Sequence, residues 1–171
     1  MDTLSIPGNL QALIAGTKSR AMQETLRDTA RHQNQRVDIF QKQPQTLSDE
    51  QYEKVIDNFI YKALPNLPNA GAVVFETPIG KITGPEEIFA PLIKALEDGP
   101  KSFAELRQIE IFKNAQGLLL QSLNMLMWAD YIHPLRPDDE EATNHIELQA
   151  WIDEQTLPLT LVPECGTAVK N

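Results

Sequence analysis

The sequence predicts an α+β fold, mostly helical, in which three helices are closed by a small β-sheet and preceded by an N-terminal helical arm. Three observations predict it. Apolar residues recur every three or four positions in several stretches, the spacing of a buried helical stripe. Two Ser-x-x-Gln/Glu capping boxes, at Ser48–Gln51 and Ser102–Glu105, mark helix starts. Runs that lean toward strand are short, at residues 72–82, 131–135 and 157–162.

The arm runs from about Ser19 to Phe40, with a thin apolar face through Met22, Leu26, Ala30 and Val37. So sparse a face needs something to dock on, because helices in water are held mainly by packing. After the polar loop QKQPQT, Ser48 opens a helix through Tyr52, Val55, Ile56, Phe59, Ile60 and Ala63, which Pro65 and Pro68 stop. Ala72–Ile82 predicts one or two short strands turned around Thr77-Pro78 and Gly80. Pro85, with Glu86 and Glu87 as first-turn charges, starts a helix whose buried stripe is Ile88, Phe89, Leu92, Ile93 and Leu96. Gly99-Pro100 ends it.

Ser102 starts a short helix to about Gln108, and Asn114 is placed to cap a third, from about Ala115 to Ala129. Tyr131–Leu135 reads as extended. A further helix, Asn144–Gln155, precedes the strand-like run Leu157–Val162. The order over residues 72–135 resembles a winged-helix module. The expected organisation is a helical arm and helix over 1–70, the winged-helix-like module over 71–136, and an acidic linker, helix and strand over 137–171.

Composition narrows the function. In 171 residues, 42% are hydrophobic and 23% charged, enough to bury a core. The net charge is −9, and eight of the 24 acids lie between Asp138 and Glu164, where no Lys or Arg occurs. That sign opposes tight binding to nucleic acid, which relies on cations to neutralise phosphates. The third helix, NAQGLLLQSLNMLMWA, contains no Lys or Arg. Gln116, Gln121 and Asn124 are its only side chains suited to base edges, while Leu118, Leu119, Leu123 and Leu126 fill one face and Leu120 and Met127 widen it. Such a helix is expected to be buried or at an interface.

Catalytic constellations are scarce. No two of the eight glycines are separated by a single residue, so no G-x-G loop can bring backbone close to a nucleotide or a methyl donor. The histidines at 32, 133 and 145 lack zinc-site spacing. Cys165, the single cysteine, has no local base and reads as a bystander thiol. Trp128 and Trp151 read as core or interface anchors. The opening MDTLSIPGNLQ has no signal-peptide pattern, no window suits a membrane span, and the expected location is the cytoplasm. No catalytic, cofactor-binding or metal-ligating residue is therefore assigned. The expected partner-facing surface consists of Arg27, Arg31 and Arg36 on the arm, with Asp138 among the exposed acids.

Three runs carry more than periodicity: QETLRDTARHQNQRVDIFQK, FETPIGKITGPEEIFAPLIKALEDGPKSFAELRQ and LNMLMWADYIHPLRP. Together they resemble the regulatory domain of bacterial class I S-adenosylmethionine-dependent methyltransferases. The family's acid–Arg–(Phe or Val) pattern is matched by Asp28, Arg36 and Val37. Its F-x-x-P-x-G segment is matched by Phe75, Pro78 and Gly80, and its closing Pro-x-x-Gly turn by Pro163 and Gly166. Val37 stands where an aromatic residue is more usual.

The resemblance implies a non-catalytic domain that positions acceptor substrate or controls access to the donor site. S-adenosylmethionine would then be held by a separate Rossmann-like catalytic domain, the main partner. Some family members are associated with methylation of protein lysines, which would make a protein the substrate. Two alternatives remain from the residues themselves: a winged-helix protein-protein module, including a homodimer through the apolar third helix or the arm, and a DNA-binding regulator.

Overall fold

The computed structural model describes residues 5–33, 42–69, 71, 73–77, 79–137 and 144–170. The chain is α+β and mostly helical, as the periodicity predicts. In order its elements are α1 (Gly8–Gly16), α2 (Arg20–Ala30), α3 (Asp49–Asp57), β1 (Ile60–Ala63), β2 (Val73–Thr77), β3 (Gly80–Gly84) and α4 (Glu86–Glu97). There follow β4 (Lys101–Ser102), α5 (Phe103–Leu106), α6 (Gln116–Trp128), β5 (Ile132–Pro134), α7 (Asn144–Glu154), β6 (Leu159–Val162) and β7 (Thr167–Lys170). Tight 3-10 turns occupy Glu110–Phe112 and Pro163–Cys165.

The chain divides into two compact units, Met1–Thr46 with Val74–Thr83, and Leu47–Val73 with Gly84–Asn171. The first unit holds α1, α2 and all of the β2/β3 sheet except its end residues, Val73 and Gly84. Helix α1 was not foreseen. Ser19 caps α2 by accepting a hydrogen bond from the Met22 amide at 3.4 Å. That helix ends at Ala30, and His32 follows in the left-handed region at φ 53°. The expected continuation toward Phe40 falls largely outside the described residues. Among the described residues, Ile6, Ile14 and Phe75 are the buried apolar side chains of this unit. Thr77 ties the β2/β3 turn by donating its hydroxyl to the Gly80 carbonyl at 2.7 Å.

The second unit is built around β1. It lies in the middle of a three-stranded antiparallel sheet ordered β4-β1-β5. Ile60 faces Ser102, Tyr61 faces both Lys101 and Pro134, and Ala63 faces Ile132. Helices α4, α5 and α6 follow one another, with β4 between the first two and β5 after the third. Phe89, Leu92, Ile93, Leu96, Leu106, Phe112, Leu119, Leu123 and Leu126 are buried among them. Full burial of each such side chain favours the fold by about 1.5–3 kcal/mol.

This sheet overturns one expectation. Tyr52 to Ala63 have helical spacing, yet the helix stops at Asp57. The Asn58 and Phe59 amides close its last turn on the Val55 and Ile56 carbonyls, at 3.3 and 2.9 Å. The chain then extends into β1, whose aromatic and β-branched residues suit a strand once partners lie on both edges. Both capping boxes form as expected. Ser48 exchanges bonds with Gln51 at 3.3 and 3.0 Å, and Ser102 with Glu105 at 3.2 and 2.7 Å. Asn114 does not cap α6. The residue before that helix is Ala115, which offers no side-chain bond.

The C-terminal strands β6 and β7 pair antiparallel from Leu159↔Lys170 to Val162↔Thr167. Val162 and Val169 on these strands, with Cys165 in the turn between them, form a small core with Leu64, against which Leu135 packs. Gly166 turns the chain in the left-handed region at φ +63°, and a Cβ there would lie 2.5 Å from the Arg136 Cδ. Glycine enters that region without strain, whereas a larger residue would be strained there and would have to displace the Arg136 side chain. No helix among the described residues is long and apolar enough to cross a membrane.

Lys62 on β1 forms an ion pair with Glu164 in the turn between β6 and β7. The lysine holds the Glu164 carboxyl below its ordinary value of 4.5. A carboxyl whose pKa is depressed by folding contributes stability above its unfolded pKa, and loses it as pH falls through the folded one. Glu164 is half exposed, so the pair is worth only about 0.2–1 kcal/mol. Urea denaturation should therefore place Glu164→Gln below the wild type at neutral pH. The gap should close as pH is lowered beneath the ordinary glutamate value.

Candidate functional site

Two of the four expected partner-facing residues lie among the described residues. Arg27 and Arg31 stand four apart, so they fall on one side of α2 and its end. Neither is an unengaged cation. The Arg27 Nη1 donates to Glu24 Oε1 at 2.8 Å, one turn back. The Arg31 Nε donates to the Ser5 hydroxyl at 2.9 Å. Both side chains are half-buried. Arg36 and Asp138 lie outside the described residues, as does Val37.

The second unit contains a pocket that the sequence did not reveal. It opens where α3, α5 and the first turn of α6 meet, and its volume is about 170 Å³. Tyr52, Ile56, Phe103 and Leu120 supply apolar walls; Glu53, Asp57, Arg107 and Gln116 supply the polar groups. Each element is fixed locally. The Ser48 box starts α3 so that Tyr52, Ile56 and Asp57 share one side, and the Ser102 box sets Phe103 as the first residue of α5. Gly117 also lines the pocket, and nothing lies within 4 Å of the position its Cβ would take.

The electrostatics of the pocket centre on one pair. Asp57 is the last residue of α3, where a negative charge opposes the helix dipole. Arg107 compensates, with Nη2 2.9 Å from Asp57 Oδ2. The two side chains are 25% and 24% exposed, so the pair is largely shielded from water. The second Asp57 oxygen, Oδ1, is buried without a hydrogen-bond partner. Among the described residues Arg107 is thus the only group holding that carboxylate, and its loss would leave a charge with little solvation. One turn back, Glu53 is exposed and has no ion-pair partner among the described residues.

Helix α6 borders the pocket. Leu119, Leu123 and Leu126 are fully buried, and Ser122 satisfies its hydroxyl on the Leu118 carbonyl at 2.8 Å. Gln116, Gly117 and Gln121 face solvent, while Leu120 is half-buried at the pocket wall. Of the two roles expected for the tryptophans, a place in the core is excluded: Trp128 is exposed by 41% and Trp151 by 52%.

Other chemistry-bearing groups stay apart. Cys165 is buried, and burial pushes its thiol pKa up, away from a reactive thiolate. Its Sγ lies 3.9 Å from the His133 carbonyl, to which it donates weakly. Among the described residues, no group of three or more His, Cys, Asp or Glu is arranged to hold a metal ion. No protein-family model matches the chain, and searches of curated proteins and of solved structures find no match.

Replacing Arg107 with alanine should destabilise the chain by about 1–3 kcal/mol in urea denaturation, the cost of a stranded buried polar group. Asp57→Ala in the same background should recover part of that loss. A double-mutant cycle measures the coupling, and additive effects would show that the pair contributes nothing.

Proposed function

We propose that this chain is a non-catalytic regulatory or substrate-positioning domain of an S-adenosylmethionine-dependent methyltransferase, acting in the cytoplasm on a protein acceptor. The observation that carries this reading is where the motif residues fall in the fold. Phe75 is fully buried, and Gly80 turns into β3 at φ +120°, a conformation that side chains other than glycine seldom adopt. Pro163 opens a 3-10 turn that Gly166 closes in the left-handed region. The Phe and Gly of the F-x-x-P-x-G segment and the Pro-x-x-Gly positions thus meet structural requirements, as recurrent motif residues would.

The second unit supports contact with protein. Its helix α6 has no Lys or Arg to neutralise phosphates and borders an apolar pocket. On α3, Tyr52 and Val55 are exposed by 50% and 47%, more apolar surface than an isolated helix face needs. A winged-helix-like arrangement of α4, α5 and α6 with a small sheet would then present protein-binding surface rather than a base-reading helix. The second reading, a protein-protein module unconnected with methyl transfer, rests on the same exposed residues. Under the first reading S-adenosylmethionine belongs to the separate catalytic domain.

Calorimetric titration of the purified chain with S-adenosylmethionine and with S-adenosylhomocysteine separates these assignments from a donor-binding one. The expected result is no saturable heat from the chain alone. Addition of the chain to its cognate class I catalytic domain should change the KM for acceptor. One-to-one donor binding by the chain itself would overturn the accessory assignment, and an unchanged KM would favour the unconnected module.

A further inference from the structure

We propose that the pocket between α3, α5 and α6 is a docking site for a basic segment of a partner protein, which inserts one apolar side chain and lays flanking Lys or Arg residues along α3. This rests on the reading of the second unit as a protein-contact module and is independent of methyl transfer. The pocket volume of about 170 Å³ is close to the ~150 Å³ that accepts a benzene-sized group. One Leu- or Phe-like anchor therefore fills it. Tyr52, Ile56, Phe103 and Leu120 would surround that anchor, and Val55, exposed on the same helix, adds apolar surface.

The charge of the surroundings selects the flanks. Helix α3 carries Asp49, Glu50, Glu53 and Asp57 against Lys54 alone. Asp57 is neutralised by Arg107, but Asp49, Glu50 and Glu53 are exposed and have no ion-pair partner among the described residues. Asp49, Glu53 and Asp57 are four apart and form one row beside the pocket. The opposing influences are Lys54 and the amide ends of α3 and α6, each end contributing about half a positive charge. The three unpaired carboxylates Asp49, Glu50 and Glu53 outweigh these together, so the rim attracts cations. Apolar anchors flanked by complementary charge are the usual means by which a groove selects an amphipathic segment.

The test uses the full chain and two fluorescein-labelled peptides. One has leucine recurring at i, i+4 and i+7 with lysine elsewhere, and the other replaces every lysine with glutamate. Fluorescence polarisation measures affinity, and ¹⁵N-resolved NMR maps the amides of Ile56, Phe103 and Leu120. The lysine peptide should bind, shift those amides and weaken with added salt. Asp49→Lys combined with Glu53→Lys should weaken it roughly tenfold or more. Gly117→Phe should do the same by filling the pocket from a position with open space, whereas Glu154→Lys on the exposed face of α7 should change nothing.

Binding of the glutamate peptide as tightly, with shifts at the same amides, would overturn the basic-partner assignment while leaving a protein-contact surface. Absence of shifts at the pocket with either peptide would overturn both. A dimer dissolved by Gly117→Phe would overturn it in favour of a second copy of the chain.

Discussion

The second unit depends on a single four-residue strand having hydrogen-bonding partners on both edges. On one side of β1 the Phe103 amide donates to the Phe59 carbonyl at 2.8 Å; on the other the Leu135 amide donates to Ile60 at 2.8 Å. The Leu64 amide continues the second edge by bonding the Tyr131 carbonyl at 2.9 Å. Neither outer strand could stand alone, since β4 has two residues and β5 three. By joining them, β1 ties the start of α5 to the end of α6, and buries Tyr61 and Leu64 in the process. Burial also pushes the Tyr61 hydroxyl pKa up, in keeping with a phenol withdrawn from water.

The pocket follows from this placement. Because β1 fixes the chain two residues beyond α3, that helix is held beside α5 and the first turn of α6. The Asp57–Arg107 pair then locks the C-terminal end of α3 across a separation of fifty residues. A continuous helix to Ala63 would carry Ile60 and Tyr61 away from β4 and β5 and leave no second wall for the pocket. The same strand reaches the C-terminal hairpin through Lys62 and Leu64, so the small core around Cys165 is attached to it as well. The structural constraint and the candidate site are therefore one problem in packing.

Much of this was legible in the sequence, for definite reasons. Capping boxes are local, and both Ser48 and Ser102 behave as their spacing implies. The stripe of α4 is regular enough that Phe89, Leu92, Ile93 and Leu96 are all buried. Gly166 marked its turn because glycine enters the left-handed region without strain. What escaped was non-local. Ile60–Ala63 has helical spacing and strand-favouring residues at once, and only its partners, some 40 and 70 positions away, decide between them. Strand β4 is too short to leave a pattern. The pocket is assembled from three separate segments, and nothing in the spacing of Asp57 and Arg107 announces their contact. Helix α1, with Leu10, Leu13 and Ile14 among small and polar residues, offers too weak a face to be distinguished from a loop.

Native-state hydrogen exchange at three amides tests the central role of β1 most directly. Phe103 and Leu135 donate to its two edges from segments distant in sequence, and Leu64, the residue after the strand, donates to the distant Tyr131 carbonyl. All three should exchange slowly and at a common rate, through opening of the second unit as a whole. Fast or unequal exchange at these amides, with protection continuing helically from Asp57 to Ala63, would contradict it.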